Sequence, residues 1–596
     1  MLLQRLNEYA DRLNLPPTLY SESPVRYIIE LDASGRLLNP EPVDTSDPAN
    51  ARTRRGQPRL VPRVQRAVKI KPLLLSDNAE YTLGLAREDS NPARVAACHH
   101  AYLEQIERCA ASRHEPPVLA VCTFLAQNPL AQLSLPADFD PSANLTFCVA
   151  GVFPVDLPTV QAFWAEQNDP DADADHPAPV MQCLICGQER PILRRLQTKI
   201  KGVRGGQTSG TSLISANAEA FESYGLGASL IAPTCAACGE RFTRAINDLL
   251  ADGTVKSHVV LGNATLAFWT RVEHPFSLLT FLDAPQPADV AALIEATRKG
   301  RPLPEVDQAA FYAVTLSASG GRAVVRDWLD TTVAEVKRRL ATCWFPWQRI
   351  VGAYGDPPRP LGVYALAAAT VRDPARELAP PTPRSLWRTA LTGVPLPLAL
   401  LYQAVRRNRA EQGVTYPRAA LIKLALCSQQ TINTRQKEDS MIQLDPQNTA
   451  PAYLCGRLLA VIEEAQHLAI PGAKATVVDR FYGTASSAPA SVFGRLLRGM
   501  QPHLAKLKRD RPGTFRALQQ RLEDIQAGLS GFPRVLTLEQ QGLFALGYYH
   551  QRAADRAQAR EAAARHRAAG QPAEADATEE ITDFGSEQPN SKEGNK

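Results

Sequence analysis

Four cysteines stand in two matched pairs, Cys183-Leu-Ile-Cys186-Gly187 and Cys235-Ala-Ala-Cys238-Gly239. In a CxxCG knuckle a tight turn aims both thiolates at one metal ion, and the following glycine permits that turn. Two knuckles complete a tetrahedral set, so the spacing predicts a structural zinc ion held by Cys183, Cys186, Cys235 and Cys238. Protein would fill all four positions, which leaves no open one for catalysis. The 48 residues between the pairs, 187 to 234, exceed the usual ~15–20, so the site must close across an insertion. Four reduced thiols without metal are the alternative. A redox role lacks the thioredoxin-like context that such a motif needs.

Basic side chains gather in three places. Residues 51–71 carry eight bases and no acid: Arg52, Arg54, Arg55, Arg59, Arg63, Arg66, Lys69 and Lys71. Such a run suits a phosphate-tracking arm, or equally a solvated loop. Residues 191–218 are also free of acids and hold Arg194, Arg195, Lys199, Lys201 and Arg204 among Gly202, Gly205, Gly206 and Gly210. Glycines let backbone N–H groups approach an anion closely, and the expected element is a flexible loop beside a nucleic-acid backbone, or a plain glycine-rich turn. The P-loop pattern is absent, because no lysine follows the last glycine. The third group, Arg498, Lys506, Lys508, Arg509, Arg511 and Arg516, falls on helical spacing and faces only Asp510. It forms a basic helix face, solvated or strand-holding. Motifs of the HExxH, GxSxG, GxGxxG and kinase types are missing, and His99-His100 has no carboxylate motif beside it. No residue is therefore a catalytic candidate, and the expectation is a protein that is not an enzyme.

The elements that must carry these groups divide in two. Leu2, Leu3, Leu6, Tyr9 and Leu13 follow a helical period, and charges interrupt them, so the N-terminus reads as an amphipathic helix and not as a signal peptide. A strand is expected at 25–31, helices at 92–112 and 115–126, and short apolar runs follow at 259–261, 277–282 and 311–316. The turn at 317–321 joins the last of these to 323–325 as a hairpin, and a helix follows at 331–341. The Pro-rich stretch 354–384 reads as a linker. Helical periodicity then runs through 385–408, 417–428, 452–468, 490–508, 514–528 and 537–567. Thr537-Leu-Glu-Gln540 forms a capping box at the start of the last.

The expected fold is α+β: a mixed α/β N-terminal part with a Cys-rich zinc-ribbon-like insertion, then an all-α C-terminal helical bundle. The expected divisions are 1–180, the insertion 181–240, a continuation of the α/β domain over 241–384, a helical connector 385–440, a bundle 441–568 and a disordered acidic tail 569–596. Hydrophobic residues at 44% and charged residues at 21% exclude wholesale disorder. No apolar run approaches the ~20 residues of a membrane span, so a cytoplasmic location and no membrane partner are expected. Eleven dispersed cysteines argue against a disulfide framework. The net charge of +5 averages unlike pieces: basic runs and an acidic tail with eight acids against four bases over 561–596.

Several blocks together resemble a known family. They are KPLLLSDNAEYTLGL (71–85), KIKGVRGGQTSGTSLISANAEAFESYG (199–225), LSASGGRAVVRDW (316–328), RAALIKLAL (418–426), VVDRFYGTASSAPASVFGRLL (477–497) and LTLEQQGLFALGYYHQR (536–552). In this order they are similar to the Csd family, the large subunit of type I-C CRISPR Cascade complexes. The resemblance implies a subunit of a guide-RNA surveillance ribonucleoprotein. Such a subunit recognises a short motif beside the target in double-stranded DNA, helps open the duplex and holds the displaced strand. Its partners are the guide-bearing complex, the backbone and guide-handle-binding subunits, and a helicase–nuclease that docks on it. Candidates for contacting DNA are Arg63, Arg66, Lys69, Lys71 and Asn78, with Lys199, Lys201, Arg204, Gln207 and Ser209. Candidates for the displaced strand are Arg498, Lys506, Lys508, Arg509 and Arg511. In this family a small subunit can arise by internal translation, and Met441 is the candidate start. The rival class is a stand-alone zinc-dependent nucleic-acid-processing enzyme; a third is a protein-only scaffold.

Overall fold

The computed structural model describes all of the chain except residues 14–16, 18, 48, 50–52, 54, 65–69, 88–89, 169–178, 197, 217, 253–255, 299–307, 430–440 and 569–596. The fold is mixed α/β, with sheets in the N-terminal part and a helical C-terminal part. It divides into two compact units, residues 1–252 with 318–324, and residues 253–317 with 325–596.

In the first unit the strand expected at 25–31 is interrupted at Arg26. Tyr20–Val25 pairs antiparallel with Gln57–Pro62, whereas Tyr27–Leu31 enters a four-stranded sheet. That sheet runs Val43–Asp44, Tyr27–Leu31, Asn144–Val149, Ser76–Asn78, and its central pair is parallel. Tyr27, Ile29 and Leu31 are buried and alternate with half-buried neighbours, as the period-two pattern requires. The crossover between the parallel strands carries the helices Pro92–Arg113 and Pro116–Ala126. Asn91 caps the first of these, accepting from the amides of Ala93 and Arg94, and Pro92 fills the first helical position, where no N–H is needed.

The N-terminal helix, Leu2–Ala10, is shorter than its apolar pattern. It packs on the helix Ala236–Leu249. Arg241 bonds the Asn7 side chain at 3.0 Å and pairs with Asp11, and the Tyr9 hydroxyl donates to Asp248 at 2.9 Å. Arg244 donates to the Tyr20 carbonyl at 2.9 Å, which ties the same helix to the first strand.

The second unit holds an antiparallel sheet in the order Arg322–Thr332, Ala310–Ser319, Ala264–Thr270, His258–Leu261. The turn of its hairpin, 318–324, groups with the first unit. The apolar run at 277–282 ends in a helical turn, Leu279–Leu282. The stretch 354–384 is not a bare linker. It contains the helix Val363–Ala368, with Val363, Leu366 and Ala367 buried, and the turn Pro374–Glu377. The helix expected at 385–408 is two helices, Pro381–Thr392 and Leu398–Glu411. Gly393 ends the first in the left-handed region at φ +70°, and two prolines follow within four residues.

The remaining helices are Tyr416–Ser428, Pro451–Ala469, Val477–Ala485, Phe493–Asp510, Pro512–Ala527 and Leu538–Ala568. The Thr537 capping box is present: Gln540 N–H donates to the Thr537 hydroxyl, and the Thr537 amide donates to the Gln540 side chain. No helix of the described residues is long and apolar enough to cross a membrane.

The Leu538–Ala568 helix buries His550, whose Nδ1 lies 3.0 Å from the Tyr453 hydroxyl. Burial, followed by the nearby Lys423 charge, holds the imidazole down to about 3, and a backbone hydrogen bond at Met441 opposes this. The unfolded chain takes up this proton near pH 6.5, but the folded chain does not until about pH 3. The unfolded state therefore binds more protons inside that window, and stability is lost as the pH falls through it. Urea unfolding at pH 6 and pH 4 should show the wild type losing about 1.4 kcal/mol more per pH unit than His550→Gln. Equal slopes would remove His550 from the acid response.

Candidate metal centre and basic loop

The strands Val180–Gln182 and Glu189–Pro191 form a short antiparallel hairpin, and the first cysteine pair sits in its turn. The Gly187 amide donates to the Cys183 carbonyl at 2.9 Å, and the Cys183 amide donates to the Gln188 carbonyl at 2.9 Å. Gly187 has φ +73°, so the knuckle needs glycine there. The second pair is built differently. Cys235 is the N-cap of the Ala236–Leu249 helix, and Cys238 lies in its first turn. Gly239 is therefore helical. A Cβ on it would come within 2.8 Å of the Leu196 side chain, so this glycine serves packing and not the turn.

The four Sγ atoms lie within 4.8 Å of one another. A tetrahedral thiolate site with bonds of about 2.3 Å has sulfur–sulfur edges of about 3.8 Å, which this cluster accommodates. Cys183, Cys235 and Cys238 are buried, and Cys186 is exposed. The Cys235 amide reaches the Cys183 sulfur at 3.5 Å. A hydrogen bond from Cys238 pulls the Cys235 thiol down to about 5, and that same bond together with burial pushes Cys238 up. Crowded thiols oppose one another's ionisation, and a divalent cation removes that opposition. The helix N-terminus favours negative charge at Cys235 and Cys238 as well. The donor set and its spacing thus fit a metal ion such as zinc, in a structural role with no vacant ligand position.

The metal-bearing helix also braces the basic loop. Asn247 accepts from the Lys201 amide at 2.8 Å and donates to the Lys199 carbonyl at 3.1 Å. Ile200 and Thr211 exchange two backbone bonds of 2.7 Å across the base of the loop. Beyond this, Ser212 bridges to the hairpin turn of residues 318–324, donating to the Gly321 carbonyl at 2.9 Å and accepting from Ala323 at 3.0 Å. The Gln207 side chain lies against Gly321. Gly202, Gly205 and Gly210 all have positive φ, which makes the tight path possible. The expectation of a flexible loop is corrected, because three sets of bonds hold it. Lys199, Lys201, Arg204, Gln207 and Ser209 are nevertheless all exposed. Asn247→Ala should cost about 1–2 kcal/mol and speed amide exchange at Lys201, with metal content unchanged. Unaltered exchange in hydrogen–deuterium mass spectrometry would contradict the brace.

The other candidates in this unit stand on separate elements. Arg63 is half-buried, and its amide donates to the Leu19 carbonyl at 2.7 Å. Lys71 is exposed. Asn78 is the N-cap of the Ala79–Thr82 turn, where it accepts from the Tyr81 amide, so its side chain has structural work. Arg66 and Lys69 lie outside the described residues, as do Arg52 and Arg54. Arg59 is spent within the fold, its guanidinium 3.5 Å from the centre of the Phe153 ring and 3.5 Å from Asp156. His99 is a packed residue, with Nδ1 2.9 Å from the Tyr81 carbonyl, while His100 is exposed beside Glu104. Spacing did not single out Tyr224. This residue is 99% exposed at the tip of a turn and holds φ +57°.

In the second unit the helix Phe493–Asp510 buries Phe493, Leu496, Met500, Leu504 and Leu507. At about 100° per residue, Arg498 and Arg509 fall opposite that stripe, with Lys506 and Lys508 flanking them. All four are exposed. Arg509 pairs with Asp510 at 2.7 Å, Lys506 donates to the Ala469 carbonyl at 2.8 Å, and Lys508 lies over Phe515. Arg511 is half-buried at the helix end.

A family model described as CRISPR-associated protein (Cas_Csd1) matches residues 3–555. No curated protein matches the chain.

Proposed function

Since the chain belongs to the Cas_Csd1 family of CRISPR-associated proteins, we propose that it is the large subunit of a type I-C guide-RNA surveillance complex. In that complex it reads the short motif beside the target and assists opening of the duplex. The observation that carries this reading is the braced basic loop, which presents six exposed polar or basic side chains over residues 199–209, Thr208 among them. In such complexes base pairing supplies most of the sequence specificity, and the protein needs backbone contacts and a short duplex reader. A held loop with exposed Lys199, Lys201, Arg204, Gln207 and Ser209 suits that task. Arg63, Arg66, Lys69, Lys71 and Asn78 are the further candidates. The four cysteines would hold zinc, which fixes the helix on which the loop rests.

Opening DNA for a guide is nearly balanced in energy, so a basic face can tip it by holding the freed strand. The face of Arg498, Lys506, Lys508, Arg509 and Arg511 has the right sign, and all but the half-buried Arg511 are exposed. The helicase–nuclease and the other Cascade subunits are the expected partners, and the protein itself performs no catalysis in this reading. A small subunit started at Met441 would have 156 residues (596 − 441 + 1). One hydrophobic cluster draws its buried members only from residues 452–548, although Tyr453, Ala545, Leu546 and Tyr549 are buried in a second cluster with residues 261–426. If the gene with Met441 changed still yields an unaltered short product, that start is wrong.

The reading as a whole is tested by purifying the protein from cells with its neighbours and sequencing any bound RNA. Guide RNA of uniform length is expected. An intact complex without RNA, or metal-dependent cleavage of nucleic acid by the isolated chain, would overturn it.

A further inference from the structure

The second unit carries a cavity of about 450 Å³ that the functional reading leaves unused. Tyr402, Arg406 and Arg409 line it from the helix Leu398–Glu411. Their spacing of four and then three residues puts them in one stripe of that helix, while Leu401, Ala404, Val405 and Asn408 form its buried side. All three lining side chains are exposed, Tyr402 by 53%. Among the described residues, Arg406 and Arg409 have no acidic partner, although their neighbour Arg407 is engaged with Glu411. Gly483 forms the opposite wall; a Cβ there would meet nothing closer than the Arg409 Nε at 4.0 Å. Leu538 and Gln541 close the cavity from the first turn of the helix Leu538–Ala568, so the positive end of a 31-residue helix adds to two guanidiniums. No carboxylate lines the cavity.

An exposed aromatic side chain, two guanidiniums one helical turn apart without an acidic partner, and a remaining lining that is apolar except for Gln541 form the recurring platform for single-stranded nucleic acid. The base stacks on the ring, and the adjoining phosphates meet the arginines. The volume falls within the range of small-ligand sites, about 300–1,000 Å³. We propose that this groove seats a nucleotide of a single strand, DNA or RNA, with its base on Tyr402 and its phosphates on Arg406 and Arg409. The site is additional to the basic face of the Phe493–Asp510 helix. It rests on the nucleic-acid reading given above, but its test needs no guide RNA, so the two fail separately.

The isolated full chain is titrated with fluorescein-labelled 12-nucleotide oligo-dT and oligo-U, and anisotropy is read. Tyr402→Ala should weaken binding roughly 5- to 100-fold, which is the worth of one stacked base, and Tyr402→Phe should retain it. Arg406→Ala with Arg409→Ala should weaken binding at least about tenfold and flatten its salt dependence. Gly483→Leu fills the groove without removing a charge, and it should weaken binding while the thermal melt is unchanged. Whichever of the two oligomers binds more tightly identifies the strand. Wild-type affinity in Tyr402→Ala and Gly483→Leu would overturn the proposal. So would a poly-glutamate peptide that displaces the oligomers at equal concentration, which would mark the groove as a protein-docking site.

Discussion

Replacing Cys183 or Cys235 with serine should remove one zinc ion per chain and melt the hairpin from about 180 to 191 while the rest of the protein stays folded. The hairpin that carries the first pair has two strands of three residues, none of them buried. Such a hairpin does not persist alone in water. Its anchors are the Cys183–Gly187 turn, the bond from the Leu184 amide to the Pro233 carbonyl at 2.9 Å, the contact of Cys183 with the Cys235 amide, and the metal that four clustered thiols would hold. Structural zinc in small domains contributes about 10–16 kcal/mol of apparent binding energy. Here the effect is spread over a local segment, and a loss of at least about 3 kcal/mol of local protection is expected. Elemental analysis gives the metal content, and hydrogen exchange gives the protection. Cys122→Ser, outside the cluster, should retain both. If the reduced wild type holds no metal, and added zinc leaves exchange over 180–191 unchanged, the metal centre is refuted.

Gly547→Ala and Gly456→Ala should each destabilise the second unit by about 3 kcal/mol or more, well above an ordinary surface change. The helices Pro451–Ala469 and Leu538–Ala568 cross so closely that a Cβ on Gly547 would stand 2.1 Å from the Tyr453 carbonyl oxygen. One on Gly456 would stand 2.0 Å from the Phe544 carbonyl oxygen. Both obstacles are backbone, which cannot swing aside as a side chain can. The helices would have to separate, and the contacts around Tyr453, Phe544 and Tyr548 would open with them. In an open helix the same change would stabilise by about 1 kcal/mol, because alanine is the better helix former. The sign is therefore diagnostic. Gly499, where a Cβ meets nothing within 4 Å, supplies the control: Gly499→Ala should be neutral or stabilising. Chemical denaturation of the three variants decides the matter, and a stabilising Gly547→Ala would contradict the close crossing.

The parts of the fold that were legible in sequence are those fixed by local pattern. The cysteine quartet follows from CxxCG spacing, and the late helices follow from periodicity together with the Thr537 capping box. Proline misled at 354–384. The Pro-rich composition reads as a linker, yet Pro374 and Pro381 occupy first helical turns, where a missing N–H costs nothing. The bracing of the basic loop could not be read, because its supports are distant in sequence. Asn247 is 46 residues from Lys201, and the bridge from Ser212 reaches Arg322. Gly239 shows the same limit at short range. Both CxxCG repeats look alike, but only Gly187 needs a left-handed turn. The Tyr402, Arg406 and Arg409 stripe follows a readable helical spacing, but no local pattern announces that two later helices, Val477–Ala485 and Leu538–Ala568, meet beside it to form the cavity.

The central claim is that the braced loop contacts target DNA within the guide-RNA complex. The most direct measurement is the affinity of the assembled complex for a duplex library in which the bases beside the target vary. The wild type is to be compared with Lys199→Ala, Lys201→Ala and Gln207→Ala at several salt concentrations. A residue that reads bases should cost about 1–3 kcal/mol on the preferred motif and blur its discrimination. A phosphate contact should weaken all motifs equally and lower the salt slope by about one. The account predicts at least one variant of each kind. Wild-type affinity, motif preference and salt slope in all three would contradict it.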